Sequence, residues 1–247
     1  MEDIIIRKRH EPRRRTLTVA EIIRLTPAML RIELQGDMEG FASLAPDDHI
    51  KLFFETGGEK PEMRDYTPRA FDVAAGTLTL DFAVHEAGPA TDWAIRATVG
   101  NTLTVGGPRG SAVIAPAFDW WLLIGDETAL PAIGRRIEET GAGTTIVMVG
   151  AIPSDEDRQH FETAADLTSH WVVRPEAEAA DPAPVLEALK SLDLPEGRGF
   201  VWIAAEAGVA RALRAHIRDE RGHPPELVKA AGYWVRGKAD SSDKSLD

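Results

Sequence analysis

Cysteine is absent from this chain of 247 residues. Its absence excludes disulfides, thiol catalysis and cysteine-ligated iron–sulfur clusters. A redox function would therefore need a bound organic cofactor, or a metal held by histidines and carboxylates. The seven histidines are scattered along the chain, and none takes the H-E-x-x-H spacing. We therefore expect no dedicated metal site.

Long apolar segments and an excess of basic residues are also missing. No apolar run reaches about 18 residues, so we expect no membrane-spanning helix and no membrane partner. Residues 1–9 lack the apolar segment of a secretory signal, which favours a cytoplasmic protein. The net charge of −12 argues against a nucleic-acid partner, because phosphates select a basic surface. No coiled-coil pattern indicates a dimer, and we expect a monomer.

Positive charge is concentrated in residues 7–15, which read RKRHEPRRR. Exposed charges more than about 8 Å apart are largely screened at physiological salt, so a local cluster can bind an anion even on an acidic protein. Two interpretations of this run stay open: a solvated edge or arm, and a binding site.

The N-terminal half contains short, partly alternating apolar segments. Glycine, proline, aspartate and asparagine separate them, a pattern typical of a β-barrel or sandwich. The predicted strands are residues 17–23, 29–34, 49–54, 77–84 and 102–105.

The pattern changes after Pro116. Residues 119–124 (DWWLLI) form a continuous apolar run, as in a strand buried on both faces. Predicted helices then alternate with further strands, which indicates a parallel α/β sheet. The later strands are 144–149, 170–173 and 200–204, and the helices are 128–140, 184–192 and 209–219. We predict domains at 1–116 and 117–238 and a flexible tail at 239–247.

Two stretches of the first half carry residues suited to a dinucleotide. In residues 64–69 (RDYTPR), an arginine can bind a pyrophosphate through charge-assisted bonds, and a tyrosine offers a flat face to a flavin. In residues 84–94 (VHEAGPATDWA), Gly88 lets a phosphate approach the backbone, and a helix starting near Pro89 would present free amides. An exposed strand with an arginine-rich tip, and a tryptophan packed in a core, remain alternatives.

These stretches resemble the FAD-binding half of the ferredoxin-reductase superfamily, whose signature is R-x-Y-S/T followed by G-x-x-S/T. The resemblance sharpens to one branch, the siderophore-interacting proteins, also called ferric-siderophore reductases. Six stretches in the same order carry it and cover nearly the whole chain: DDHIKLFF (47–54), RDYTPR (64–69), HEAGPATDWA (85–94), GPRGS (107–111), WLLIGDETALPAI (121–133) and GYWVRGKAD (232–240).

The resemblance implies a six-stranded Greek-key β-barrel that holds FAD non-covalently, followed by a parallel-sheet domain for NAD(P)H. By family position, Arg64 would bind the pyrophosphate, Tyr66 would pack on the isoalloxazine, and Thr67 would approach its N5 edge. The other residues expected to line FAD are Arg69, Val84, His85, Gly88, Pro89, Ala90, Thr91 and Trp93.

The resemblance places a nicotinamide loop at Asp126, Glu127 and Thr128. Two of these residues are acidic and match a phosphate cradle poorly. Glu206 would face the flavin from the end of the fourth strand. Arg158 and Arg174 are expected to meet a 2′-phosphate, which favours NADPH over NADH, although two solvated arginines are an equal alternative.

A ferric siderophore is an anionic chelate, so its capture needs cations beside the flavin. The family pattern points to Lys51, Arg109 and Arg236 as this basic cluster. An ordinary surface or strand-end role is the alternative for each of them.

The hypothesis is a ping-pong reduction in which a nicotinamide delivers a hydride to FAD, and the reduced flavin passes single electrons to Fe(III). No protein base or nucleophile is required, so no catalytic side chain is expected. Two other functions stay open: a general flavin or ferredoxin-type NAD(P)H reductase, and a non-catalytic flavoprotein that binds a ferric chelate.

Overall fold

The computed structural model describes residues 4–84, 88–114, 117–238 and 241–243. The chain forms two compact units, residues 1–115 and 116–247. Among the described residues, no helix combines the length and the apolar character that crossing a membrane would require.

The first unit is an antiparallel β structure with one helix. Its elements are β1 (Ile5–Arg9), β2 (Arg14–Thr26), β3 (Met29–Gln35), β4 (Ile50–Phe54), β5 (Glu62–Tyr66), β6 (Ala70–Asp72), β7 (Thr77–Ala83), α1 (Pro89–Arg96), β8 (Thr102–Gly106) and β9 (Gly110–Ile114). Seven strands form a curled sheet in the order β5-β4-β8-β2-β3-β7-β6, and β1 pairs with β9 in a second sheet. The predicted all-β class of this unit is confirmed, with seven strands in the main sheet where six were expected.

Alternation of side chains decides which face of this sheet is buried. Along β4, Ile50, Leu52 and Phe54 are buried while the residues between them are partly exposed. Successive side chains of a strand point to opposite faces, so these three residues pack into one core with Leu80 and Phe82 of β7. Burying each such side chain contributes about 1.5–3 kcal/mol.

The basic run near the N-terminus divides between two strands. Arg7 and Arg9 are exposed on β1, as expected for a solvated edge. Arg15 of β2 is instead buried, donates to the Glu39 carbonyl at 2.7 Å and lies 5.5 Å from the ring centroid of Phe41.

The second unit is a parallel α/β structure. Its strands and helices are β10 (Trp120–Gly125), α2 (Leu130–Glu139), β11 (Thr145–Ile152), β12 (Asp166–Val173), α3 (Ala183–Lys190), β13 (Gly199–Glu206), α4 (Ala207–Ala215) and β14 (Val228–Trp234). All five strands pair in parallel in the order β12-β11-β10-β13-β14. The predicted parallel sheet is confirmed, and β14 is an additional strand that the apolar pattern did not predict.

The turn from β10 to α2 requires a glycine because the two elements approach closely. A Cβ added at Gly125 would lie 2.5 Å from the Ala129 Cβ and 2.8 Å from the Ala204 carbonyl oxygen. The buried β10 strand can therefore pass directly into the helix, and the residues just after Gly125 are placed at the carboxyl edge of the sheet.

One residue of the predicted flexible tail is tied to the sheet. Asp243 exchanges two backbone hydrogen bonds with Gly232, at 2.7 and 2.8 Å. Its carboxylate also lies 3.1 Å from the Arg211 guanidinium of α4.

A buried carboxylate holds two arginines in the first unit, and its charge is predicted to stabilise the fold. Asp81 is 1% exposed, accepts two bonds from Arg31 at 2.7 and 2.8 Å, and lies 3.5 Å from Arg69. Asp81→Asn should lower the free energy of unfolding by about 3 kcal/mol, because the buried Arg69 and the partly exposed Arg31 lose their counter-charge. Urea denaturation measures this loss.

The matched control is Glu187→Gln, which breaks an exposed pair with Lys190 at 3.1 Å. It should change the free energy of unfolding by less than about 0.5 kcal/mol. Equal losses in the two variants would contradict a stabilising role for the buried pair.

Candidate functional site

The RDYTPR stretch begins on an edge strand of the first unit. Arg64 lies on β5, with its side chain 20% exposed, and donates to the Met63 carbonyl at 2.8 Å and to the Glu62 carboxylate at 3.0 Å. A guanidinium has five N–H donors, so these two bonds leave donors for a phosphate. The predicted contact of Arg64 with a pyrophosphate stays a prediction.

The two predicted FAD-binding stretches meet on one buried ring. The ring centroids of Tyr66 and Phe82 are 4.6 Å apart, and those of Phe82 and Trp93 are 5.7 Å apart. Burial raises the pKa of Tyr66 well above its ordinary value, so its phenol stays neutral at any physiological pH. Tyr66 and Trp93 therefore belong to one aromatic group, although they lie in separate stretches of the sequence.

The N-terminus of α1 completes this part of the unit. Gly88 precedes the helix and Pro89 is its first residue. The next two residues of the helix, Ala90 and Thr91, are buried. The first amides of a helix have no partner within the helix. Among the described residues outside the immediate chain neighbours, no atom lies within 4 Å of a Cβ added at Gly88. The described part of the chain therefore leaves room for a ligand to approach these amides.

Three of the remaining predicted FAD residues lie in the described part of the chain. Thr67 is buried, and Arg69 is buried in the ion pair with Asp81. Val84 donates its amide to the Ala28 carbonyl at 2.8 Å. His85 lies outside the described residues. Roles of these four residues at FAD stay predictions.

These features fit the chemistry of FAD. A flavin needs flat apolar surface, and its pyrophosphate needs a cation or free amides. The aromatic group, Arg64 and the first turn of α1 supply all three within one unit.

At the carboxyl edge of the second unit, Asp126 joins three strand ends. One of its carboxylate oxygens accepts the Glu206 amide at 3.0 Å and the Trp234 indole N–H at 2.8 Å. The other accepts the amide and hydroxyl of Thr128, at 3.0 and 2.5 Å. Asp126, which was predicted with Thr128 to contact a nicotinamide cofactor, thus links the end of β10 to β13 and β14. Thr128 binds the second oxygen of this carboxylate, and the predicted cofactor contacts of both residues stay predictions.

Glu206 caps the next helix. Its carboxylate accepts the amides of Gly208 and Val209 in the first turn of α4, at 2.5 and 3.1 Å, which satisfies donors that the helix leaves unpaired. It also accepts the Arg236 amide at 3.2 Å. The predicted contact of Glu206 with a flavin stays a prediction.

Glu127 and Arg174 form a buried pair at the same edge. The Arg174 guanidinium lies 2.7 Å from the Glu127 carboxylate, and their side chains are 3% and 11% exposed, respectively. Burial and, to a smaller extent, the charge of Asp126 raise the pKa of Glu127 to about 7, while Arg174 opposes the rise. Arg174 is thus a structural partner of Glu127, and its predicted contact with a 2′-phosphate stays a prediction.

Arg158 differs from Arg174 in its exposure. Its side chain is 50% exposed and pairs with Asp155 at 2.6 Å, after the end of β11. Surface pairs of this kind contribute little free energy, so Arg158 can exchange its partner for a phosphate at low cost.

A small cavity lies where open parallel sheets bind ligands. β10 lies between β11 and β13, and the order of the strands reverses direction at this point of the sheet. Ligands of open parallel sheets bind at the carboxyl ends of the strands, beside such a topological switch point. Gly125, Asp126, Ala151 and Arg174 are among the residues that line the cavity.

The three predicted substrate cations lie in both units. Lys51 is on β4, is 34% exposed and lies 3.0 Å from Asp65. Arg109 is exposed in the turn between β8 and β9. Arg236 is exposed in the second unit, where its guanidinium donates to the Ala177 carbonyl at 3.0 Å.

The structure brings the backbones of Lys51 and Arg109 together. Lys51 pairs directly with Gly106 of β8. A Cβ added at Gly107 would lie 3.4 Å from the Arg109 amide and 3.9 Å from the Ile50 Cα, so the turn packs against β4. The family pattern had placed these two residues in one cluster, although they are distant in the sequence.

Three residues with central contacts were not selected from the sequence. Asp48, Ser111 and Trp234 each lie within a stretch that carries the family resemblance. Membership of those stretches was the available signal, but the hydrogen-bond partners depend on contacts between distant segments.

The fold and the site define a class, a ferredoxin-reductase-like flavoprotein. The sequence model of the siderophore-interacting FAD-binding domain matches residues 18–62 and 55–112. The model of the siderophore-interacting protein family matches residues 118–237. The chain belongs to the siderophore-interacting protein family.

Curated relatives and solved structures agree with this membership. The NADPH-dependent ferric-chelate reductase of Escherichia coli is 34% identical to this chain, and the alignment covers 92% of this chain and 95% of the relative. The ferric vibriobactin reductase of Vibrio cholerae is 28% identical, and the alignment covers 87% of this chain and 86% of the relative. A siderophore utilization protein from T. fusca, known from its crystal structure, is 32% identical in sequence. Its structure superposes with a TM-score of 0.90 over 98% of this chain and 100% of that chain.

Glu127 predicts a specific pH dependence of stability. Its pKa in the folded protein, about 7, is above its ordinary value of 4.5, so the folded state holds a proton that the unfolded state releases. Stability from this group is present at low pH and is lost as the pH rises through about 7. Between pH 5.5 and pH 8 the loss should be on the order of 2 kcal/mol.

Urea denaturation of the wild type and Glu127→Gln at the two pH values tests this. The amide cannot titrate, so the stability of the wild type relative to the variant should fall at pH 8. Parallel changes in both proteins would show that Glu127 does not titrate in this range.

Proposed function

We propose that this protein is a ferric-siderophore reductase that uses NADPH and FAD to reduce Fe(III) in an anionic siderophore, so that Fe(II) is released. The observation that carries the proposal is the meeting of Tyr66 and Trp93 on Phe82, beside the N-terminus of α1. The relatives named for reduction of ferric chelates support the choice of substrate.

In the first unit, the chain's own residues would bind and orient the cofactor. Arg64 and the first turn of α1 would hold the pyrophosphate, and Gly88 would allow its close approach. Tyr66 and Trp93 would exclude water from one side of the flavin, and Thr67 would approach its N5 edge. When bound, FAD supplies the conversion of a two-electron hydride donor into single electrons for iron.

In the second unit, residues 117–238 form the NADPH-binding domain of the proposal. The nucleotide would bind at the carboxyl ends of the strands, near Glu127 and the switch point beside β10. Arg158 is the more accessible partner for a 2′-phosphate, because Arg174 is buried against Glu127.

Lys51, Arg109 and Arg236 provide the cations that attract the chelate. No side chain has to donate or remove a proton from the iron complex, so the residues act by charge and position. Fe(II) is less charged than Fe(III) and binds hard oxygen ligands more weakly, which releases the metal. We propose that the protein works as a monomer in the cytoplasm.

Charge reversal at Lys51 tests the substrate assignment. Lys51→Glu should raise KM for an anionic ferric chelate about tenfold, because a local cation becomes an anion. KM for a neutral quinone should stay the same. The rates are measured without oxygen, with NADPH as donor and ferrozine detection of Fe(II).

Lys60→Glu is the matched control, because Lys60 is exposed on the first unit and this substitution changes the net charge by the same amount. If the wild-type protein forms no Fe(II), the reductase function is refuted, and binding of the ferric chelate without catalysis is the remaining function. Equal effects of the two reversals, or of Lys51→Glu on both acceptors, would indicate a general reductase.

A further inference from the structure

A buried polar junction lies in the first unit, apart from the aromatic group. The Ser111 hydroxyl lies 2.6 Å from the Asp48 carboxylate and 2.7 Å from the His10 Nε2. It also accepts the Leu44 amide at 3.1 Å. Ser111 and Asp48 are 5% and 4% exposed, so this is an interior network that joins three distant segments.

Proton accounting fixes the direction of each hydrogen bond. A hydroxyl has one proton to donate and two lone pairs to accept. The carboxylate of Asp48 can only accept, so Ser111 gives it the single proton. The Leu44 amide and the His10 Nε2–H must then donate to Ser111. The junction therefore selects the form of His10 that carries a proton on Nε2.

The carboxylate is bound by two more donors. The same oxygen of Asp48 accepts the Ser43 hydroxyl at 3.0 Å and the Ala45 amide at 3.1 Å. A buried charge is costly unless such donors compensate it. Together with the Ser111 hydroxyl, these donors hold the Asp48 carboxylate in one geometry.

Both predicted substrate cations of this unit are connected to the junction. Asp48 lies three residues before Lys51, in the segment that leads into β4. Ser111 lies two residues after Arg109, and the His10 amide donates to the Arg109 carbonyl at 3.0 Å. His10 thus binds the Arg109 turn through its amide and the start of β9 through its ring.

We infer that Ser111 is a positioning residue that sets the spacing of Lys51 and Arg109 for an anionic ferric chelate. Asp48 transmits this constraint to the Lys51 strand, and His10 transmits it to the Arg109 turn. None of the three has to touch the chelate. The inference rests on the proposed function, since it needs these two cations to receive the substrate.

Ser111→Ala tests the inference. The variant should raise KM for the anionic ferric chelate about tenfold and leave kcat within about twofold, because the cations remain but lose their fixed spacing. KM for a neutral quinone should not change. Ser111→Thr keeps the hydroxyl and should retain most of the affinity for the chelate.

A second pair of variants tests the same link without touching the buried serine. His10→Gln keeps an N–H donor near the position of Nε2, whereas His10→Leu removes it. KM for the chelate should rise for the leucine variant and stay close to the wild type for the glutamine variant. This pair also serves if Ser111→Ala fails to fold.

Thr16→Val is the matched control, because it removes an exposed hydroxyl pair with Thr104 at 3.1 Å in the same unit. Its KM should equal that of the wild type. Unchanged KM for the chelate in Ser111→Ala and His10→Leu, or an equal rise for the quinone, would overturn the inference. Absence of Fe(II) formation by the wild type would instead refute the proposed function.

Discussion

Two aromatic side chains packed against Phe82 hold the candidate FAD site together. This ring is fully buried on β7, and Tyr66 and Trp93 approach it from the end of β5 and from α1. Aromatic pairs contribute about 0.5–1.5 kcal/mol beyond their buried area, so each contact favours one arrangement of its segment. The edge strand with Arg64 and the helix with free amides are thereby held in one unit, as a dinucleotide requires.

In both units, buried carboxylates bind donors from several segments of the chain and so restrict how those segments can move. Asp48, Asp81, Asp126 and Glu206 are each almost fully buried, and each accepts hydrogen bonds from more than one donor. The free energy cost of burying a charge is offset only when donors surround it. Such groups therefore tie together segments that apolar packing would leave free to shift, and they lie next to the residues proposed to bind cofactor and substrate.

The sequence predicted the parts of the fold that local patterns encode. The continuous apolar run of β10 and the alternation of β4 identified an α/β unit and a β unit. The strand β14 was not predicted, because Val228–Trp234 is only partly buried and lacks a strong period. The family resemblance identified stretches around Tyr66 and Trp93, but only the structure shows their shared ring.

Individual roles in the second unit were harder to predict. Acidic residues after β10 look like poor phosphate ligands, and the structure shows Asp126 acting as an acceptor for Trp234, more than a hundred residues away in sequence. Arg174 likewise finds Glu127 at the end of another strand. Partners this distant cannot be inferred from spacing along one chain.

Affinity for FAD tests the central claim most directly. Apoprotein carrying Phe82→Leu should bind FAD about tenfold more weakly than the wild type, because Tyr66 and Trp93 lose their common support. Phe200→Leu removes a fully buried ring from the second unit and should leave the Kd for FAD unchanged. A folded wild type without affinity for FAD, or equal Kd values for both variants, would contradict the account.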